Sequence, residues 1–185
     1  MRIVGGRYRG RTISGPEHEG LRPTSDKVRE SIFNILIHRI LEKPFDTFRV
    51  IDLFSGTGAL GLEAISRGAA FCLFVDHDVS SRALLRNNIE AFSLTGITRI
   101  FRRDALDLGP IGTMGKFDLV FMDPPYKKGL GELALSSLEK GDWLNHSAII
   151  VWEEHALANI TWPKSFKEVD RRTWGDTQVA FGCFQ

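Results

Sequence analysis

The sequence predicts an α/β fold of the doubly wound kind. It has a mostly parallel seven-stranded sheet with helices on both faces, a C-terminal antiparallel hairpin, and an N-terminal hairpin-plus-helix extension. Three observations carry this. Short apolar runs ending in glycine or acidic residues alternate with stretches of helical periodicity. One such run, Arg49-Val-Ile-Asp-Leu-Phe54, leads into Ser55-Gly-Thr-Gly-Ala-Leu-Gly61, a Gly-x-Gly-x-x-Gly loop between strand and helix. Another, Phe117-Asp-Leu-Val-Phe-Met122, stops at Asp123-Pro-Pro-Tyr126. Proline lacks the ladder donor and holds the residue before it extended, so a carboxylate, carbonyls and a ring are displayed where the strand ends.

A length of 185 residues fits one domain, with an extension over 1–44 and a core over 45–185. The content of 43% hydrophobic and 25% charged residues is that of a globular protein. A net charge of +1 gives no global field for a polyanion, yet Arg2, Arg7, Arg9 and Arg11 come with no acid among the first eleven residues. Cys72 and Cys183 lie in apolar runs with no Cys-x-x-Cys pair, and the five histidines are scattered. Free buried thiols and no metal site are expected. No stretch approaches the length of a membrane span. A cytoplasmic monomer without a membrane partner is the expectation.

The elements follow in order. Arg2-Ile-Val4, the turn Gly5-Gly6 and Arg9 to Ile13 read as a hairpin, in which Tyr8 is free to stack on a partner. Thr24 or Ser25 caps a helix whose apolar stripe is Val28, Ile32, Ile35, Leu36 and Ile40, with Arg29, Glu30 and Asn34 off it. Pro44 closes that segment. The glycine loop opens a helix that Gly68 stops. Phe71–Val75 is a strand ending at Asp76, twenty positions past Gly56, where an acid can hold ribose hydroxyls. A helix over 79–94, a strand over 97–103 ending at Asp104, the Phe117–Met122 strand, a helix over 130–138 and a strand over 148–152 follow. Strands near 167–174 and 177–184 pair across Trp174-Gly-Asp176. The loop 105–116 receives no role.

In such sheets ligands bind at the carboxyl ends of the strands, where Asp52, Gly56, Asp76, Asp104 and Asp123 to Tyr126 all fall. A glycine loop with a ribose acid fits NAD or S-adenosylmethionine. Asp52 favours the latter, because it would repel a pyrophosphate but suits a cationic amino-acid end. Asp104 can accept from an adenine amine.

Asp52-Leu-Phe-Ser-Gly-Thr-Gly58 resembles the first motif of class I S-adenosylmethionine methyltransferases, and Asp123-Pro-Pro-Tyr126 resembles their amino-methylating motif. A narrower resemblance spans nearly the whole chain. Met1-Arg-Ile-Val-Gly-Gly-Arg-Tyr-Arg-Gly-Arg11, Leu21-Arg-Pro-Thr-Ser-Asp-Lys-Val-Arg-Glu-Ser-Ile-Phe-Asn-Ile-Leu36 and Trp174-Gly-Asp-Thr177 are similar to the bacterial small-subunit (16S) rRNA guanine-N2 methyltransferase family. The resemblance implies a Rossmann-like methyltransferase sheet, S-adenosylmethionine as cofactor, and a guanine of 16S rRNA, within a small-subunit particle, as substrate. Asp52, Phe54, Gly56, Gly58, Asp76, Asp104 and Ala105 would hold the cofactor. Asp123 and the Pro124 carbonyl would orient the guanine amine, and Tyr126 would stack on the base. Arg7, Arg9, Arg11, Arg22, Arg29, Lys127 and Lys128 would face RNA. Asp76 stands where the family commonly carries Glu, which keeps the acid and shortens its reach. The rival readings are a DNA adenine-N6 or protein-glutamine methyltransferase with the same motif, and a non-catalytic RNA-binding assembly protein.

Overall fold

A computed structural model describes residues 1–15, 25–125 and 129–185. Helix α1 (Asp26–Ile35) starts at Ser25, whose Oγ accepts the Val28 N–H at 3.2 Å, with Asp26 in the first turn. The apolar spacing continues beyond Ile35, but the backbone widens into a π-helical turn over Leu36–Ile40, closed by the Leu41 N–H on the Leu36 carbonyl at 2.9 Å. The changed phase leaves Ile35 and Ile40 half-buried while Val28, Ile32 and Leu36 are core.

Then come β1 (Arg49–Leu53), α2 (Ala59–Ser66), β2 (Phe71–Val75), α3 (Val79–Ala91), β3 (Thr98–Phe101), β4 (Phe117–Met122), α4 (Leu130–Lys140), β5 (Leu144–His155), β6 (Phe166–Trp174) and β7 (Thr177–Phe184). They form one seven-stranded sheet in the order β3-β2-β1-β4-β5-β7-β6. The first five are parallel, and β7 runs antiparallel between β5 and β6, as the sequence predicts. β5 is much longer than the apolar run 148–152. It starts at Leu144, beside Phe117, and its far end pairs with β7 out to His155. β3 is shorter than expected. It is an edge strand, and Arg102 and Arg103 are exposed beyond it.

Period-two alternation sorts the strand residues into two cores. Val50, Phe74, Phe121 and Val151 face α1, α2 and α3, while Ile51, Val75, Val120 and Trp152 face α4 and the segment with Ala105 and Leu108. Cys72 is buried, as expected; Cys183 is only half-buried, near the chain end. No helix among the described residues is long and apolar enough to cross a membrane.

The N-terminal segment forms the predicted hairpin: Arg2 bridges Thr12 antiparallel, the Ile3 N–H donates to the Arg11 carbonyl at 2.9 Å, the Gly10 N–H to the Ile3 carbonyl at 2.9 Å and the Ile13 N–H to the Met1 carbonyl at 3.0 Å. Ile3 and Ile13, each 1% exposed, sink into the core beside α1 and α2. Beyond its own ladder the hairpin docks on α2: Glu63 accepts the Val4 and Gly5 N–H groups at 2.8 Å each, and Ser66 Oγ accepts from Tyr8 at 2.9 Å. A side chain at Gly6 would strike the Ser66 carbonyl at 1.9 Å, so only glycine lets the arm lie this close.

Arg29 is the clearest correction. The sequence reading turns it toward RNA, whereas its side chain is fully buried. Its Nη2 donates to Asp26 Oδ1 at 2.8 Å and to the Arg2 carbonyl at 2.5 Å, and its Nε lies 3.8 Å from Glu63. Glu63 is equally buried and also pairs with Arg67 at 2.7 Å. A buried carboxylate needs cationic partners, and Arg29 and Arg67 supply them.

Candidate active site

The chain leaves β1 toward β2 on one side and returns at β4 on the other, so the crevice between the carboxyl ends of β1 and β4 is the topological switch point. Leu53 pairs with both Val75 and Met122, and Met122 with Trp152. Phe54, Asp76, Asp123 and Glu153 therefore follow at one level on four adjacent strands. Asp52, on β1, sits two residues before Phe54, on the face that packs against α2.

Asp52 is 3% exposed, and its Oδ2 accepts the Gly61 N–H at 2.9 Å, inside the first turn of α2. Burial, together with the charge of Asp76, pushes its carboxyl up to about 8 against the opposing pull of the Gly61 bond. The glycines have separate reasons. Gly56 (φ 50°) and Gly58 (φ 79°) take the left-handed conformation of the turn. A Cβ on Gly58 would meet Leu85 Cδ1 of α3 at 2.4 Å, and one on Gly61 would meet Phe74 Cε1 of β2 at 2.3 Å, so the loop lies against α3, and α2 against the sheet, because these positions are bare. Phe54 has φ 56° without being glycine, a strained residue at the entrance to the loop. The Gly56 N–H donates to Asp76 Oδ2 at 2.9 Å, and Asp76 Oδ1 accepts from the Asp78 N–H at 2.8 Å. Asp104 is exposed, its Oδ1 taking the Leu106 N–H at 2.9 Å, with Ala105 buried beside it.

Asp123 is half-buried at the end of β4, with Pro124 buried and Pro125 exposed. Burial raises its carboxyl well above the usual range, and the charges of Glu153, Asp52 and Glu154 add to this. Tyr126, Lys127, Lys128 and Arg22 lie outside the described residues. The edge thus offers a helix N-terminus, which favours an anionic group, and a row of carboxylates, which favour a cationic group and can accept from hydroxyls.

Residues 1–183 match the family model described as Conserved hypothetical protein 95. Ribosomal RNA small subunit methyltransferase D of Escherichia coli K12 is 38% identical over 187 residues, covering 100% of this chain and 89% of that protein. The chain belongs to this methyltransferase D family. The Haemophilus influenzae member is 32% identical over 177 residues, covering 95% and 89% of the two chains. Among solved structures, yhhF from Escherichia coli superposes with a TM-score of 0.82 at 32% identity, covering 100% of this chain and 98% of its own. HI0767 from Haemophilus influenzae gives 0.78 at 26% identity, covering 99% and 97%.

The N-terminal arm carries three of the arginines that the sequence reading turns toward RNA. Arg7, Arg9 and Arg11 are all exposed on it. Arg11 is partly committed to the protein: its Nη2 donates to the Ala91 carbonyl at 2.5 Å and its guanidinium lies 4.3 Å from the Phe92 ring centroid. Tyr8 is not a free stacking platform, since its ring packs edge-on against Phe92 with centroids 5.5 Å apart.

The sequence reading assigned no role to Glu153 and Glu154, which are buried at the end of β5 beside Asp123. Two acids directly after the apolar run Ile149-Ile-Val-Trp152 were the available signal, because carboxylates in a central strand are rarely buried without a task. It also missed Asn88, a polar residue on the buried side of α3.

Proposed function

We propose that the chain transfers a methyl group from S-adenosylmethionine to the exocyclic N2 amine of a guanine in 16S rRNA of the small ribosomal subunit. The observation that carries the reading is the position of Asp123-Pro124 at the switch point, one strand away from the glycine loop. The residues fit the cofactor. Acids crowd the loop: the Asp76 charge would repel a dinucleotide pyrophosphate, whereas an ammonium group beside Asp52 would draw off its proton and be held by the carboxylate. When bound, the cofactor supplies a methyl group on a strongly electrophilic sulfur.

The protein's part is positioning. Asp52 and the first turn of α2 hold the amino-acid end, Asp76 holds the ribose hydroxyls, and Asp104 with Ala105 borders the adenine. The Asp123 carboxylate and the Pro124 carbonyl accept the two N2 hydrogens of guanine. This draws the nitrogen lone pair out of the ring and aims it along the transfer line. As the C–N bond forms, the nitrogen sheds one proton. Asp123, whose proton affinity is raised by burial and by Glu153, takes it. The base must be unpaired or flipped to reach this crevice. Digestion of RNA after incubation with methyl-labelled cofactor tests the reading: N2-methylguanine is expected, and methyladenine or labelled glutamine would favour a rival.

Cofactor binding should be linked to protons. Asp52 holds its proton up to about 8, far above its ordinary 3.8, so between those values the folded chain is protonated where the unfolded chain is not. Its contribution to stability is therefore present at lower pH and lost as pH rises through about 8. An ammonium group beside Asp52 lowers that pKa, so binding expels the proton and affinity grows as pH rises toward 8. Calorimetry of S-adenosylhomocysteine near neutral pH should give apparent enthalpies that vary with the buffer's ionisation heat. Identical enthalpies in all buffers would remove Asp52 from the ammonium site.

RNA affinity should fall with salt. Replacing Arg7 and Arg9 together by Ala should flatten the log–log salt slope by about 1.5, the share of two phosphate contacts. An unchanged slope would place the RNA elsewhere.

A further inference from the structure

Asn88 lies on the sheet-facing side of α3 and is 2% exposed. Every part of its amide is used, and the partners belong to two different regions. Its Oδ1 accepts the Ser14 N–H at 2.9 Å, and its Nδ2 donates to the Ser14 carbonyl at 3.1 Å. The same Nδ2 donates to the Thr57 carbonyl at 3.0 Å. Thr57 is the residue between Gly56 and Gly58 in the glycine loop, and the Gly56 N–H holds the Asp76 carboxylate. Ser14 ends the arm that displays Arg7 and Arg9. One hydrogen-bonded path thus runs from the root of the arm through Asn88 to the loop and on to Asp76.

The path stands out because the rest of the arm is anchored differently. Its earlier residues bond to Glu63 and Ser66 on α2, behind the loop rather than on it. Asn88 alone, among the described residues, gives the arm a side-chain bond to the loop itself. A buried amide with all its bonds made is costly to disturb, because any shift of Ser14 or Thr57 leaves a buried donor or acceptor without a partner.

We propose that Asn88 is a positioning residue that ties the RNA-facing arm to the cofactor loop, so that cofactor and RNA each bind more tightly when the other is present. The inference rests on the functional reading above and adds the coupling between its two sites. When a bound cofactor fixes Thr57 it also fixes Ser14, and RNA then meets an arm root already ordered. Linkage makes the effect reciprocal and equal in both directions.

The test measures four affinities of the full chain. S-adenosylhomocysteine binding is followed with and without small-subunit rRNA, and rRNA binding with and without S-adenosylhomocysteine. The wild type should show the same enhancement in both directions, on the order of tenfold. Asn88→Asp, nearly isosteric, loses both Nδ2 donations and should bring the enhancement to about one, that is, no coupling. A second measurement covers the case in which Asn88→Asp fails to fold: amide exchange of the wild type at Ser14, whose N–H meets Asn88 Oδ1, should slow when S-adenosylhomocysteine binds, because fixing Thr57 fixes the amide between them. A merely structural role would move neither this protection nor the ratio of affinities. If both ligands bind the wild type without enhancement, or if exchange at Ser14 is the same with and without S-adenosylhomocysteine, the coupling is overturned while the functional reading stands. If neither ligand binds the wild type, the functional reading itself falls and the coupling with it.

Discussion

Asp123→Ala is expected to bind S-adenosylhomocysteine nearly as well as the wild type and to lose at least about a hundredfold in kcat, the scale for removing one group that acts mainly on the transition state. The reason is geometric. The cofactor contacts proposed above come from β1, β2 and the segment after β3, whereas Asp123 leaves the sheet from β4, on the other side of the switch point. Its carboxylate is held among Glu153, Asp52 and Glu154, all of which raise its proton affinity. Removing it relieves that repulsion, so the variant should be at least as stable as the parent. Asp76→Ala should behave in the opposite way, weakening cofactor binding with a smaller effect on kcat at saturation. Isothermal titration with single-turnover kinetics separates the two. A variant at Asp123 that no longer binds cofactor but turns over normally at high concentration would reverse the roles.

Arg29→Ala should be the most destabilising single change in the extension, at about 3–5 kcal/mol, because it strips a buried carboxylate of a cation. For a chain of this size that is a fall of roughly 6–20 °C in melting temperature. Glu63 would keep Arg67, yet the bonds from Arg29 to Asp26 and to the Arg2 carbonyl would vanish, loosening α1 and the arm together. Thermal unfolding decides the matter. If Arg29→Ala melts like the parent and loses only RNA affinity, then Arg29 is an RNA contact after all, and its burial describes a state that RNA changes.

Most of the sheet was legible because each strand is a compact apolar run cut off by an acid or a glycine, and because the glycine loop demands a strand before it and a helix after it. The same logic placed Asp52, Asp76, Asp104 and Asp123 at one edge, since the strands that precede them are parallel and in register. What escaped was whatever depends on contacts between distant segments. The hairpin of the arm was legible but its docking was not, because local sequence shows its glycines and arginines but not Glu63 and Ser66, which sit on a distant helix and take up the Val4, Gly5 and Tyr8 N–H groups. Arg29 looked exposed because charge is normally outside. The hint lay in pairing it with the lone acid inside the apolar stretch Ala59 to Ile65. The widening of α1 into a π-helical turn had no local signal, because the apolar spacing runs on unbroken through Leu36 to Ile40.

The central claim is that this edge methylates the N2 amine of a guanine in small-subunit rRNA, with Asp123 orienting that amine. The most direct measurement is nucleoside mapping of small-subunit rRNA from cells lacking the gene, with and without complementation. One N2-methylguanosine should be absent from those cells, restored by the wild-type gene and not restored by Asp123→Ala. If the full set of N2-methylguanosines persists without the gene, or if Asp123→Ala restores the missing one as well as the wild type does, the account is wrong.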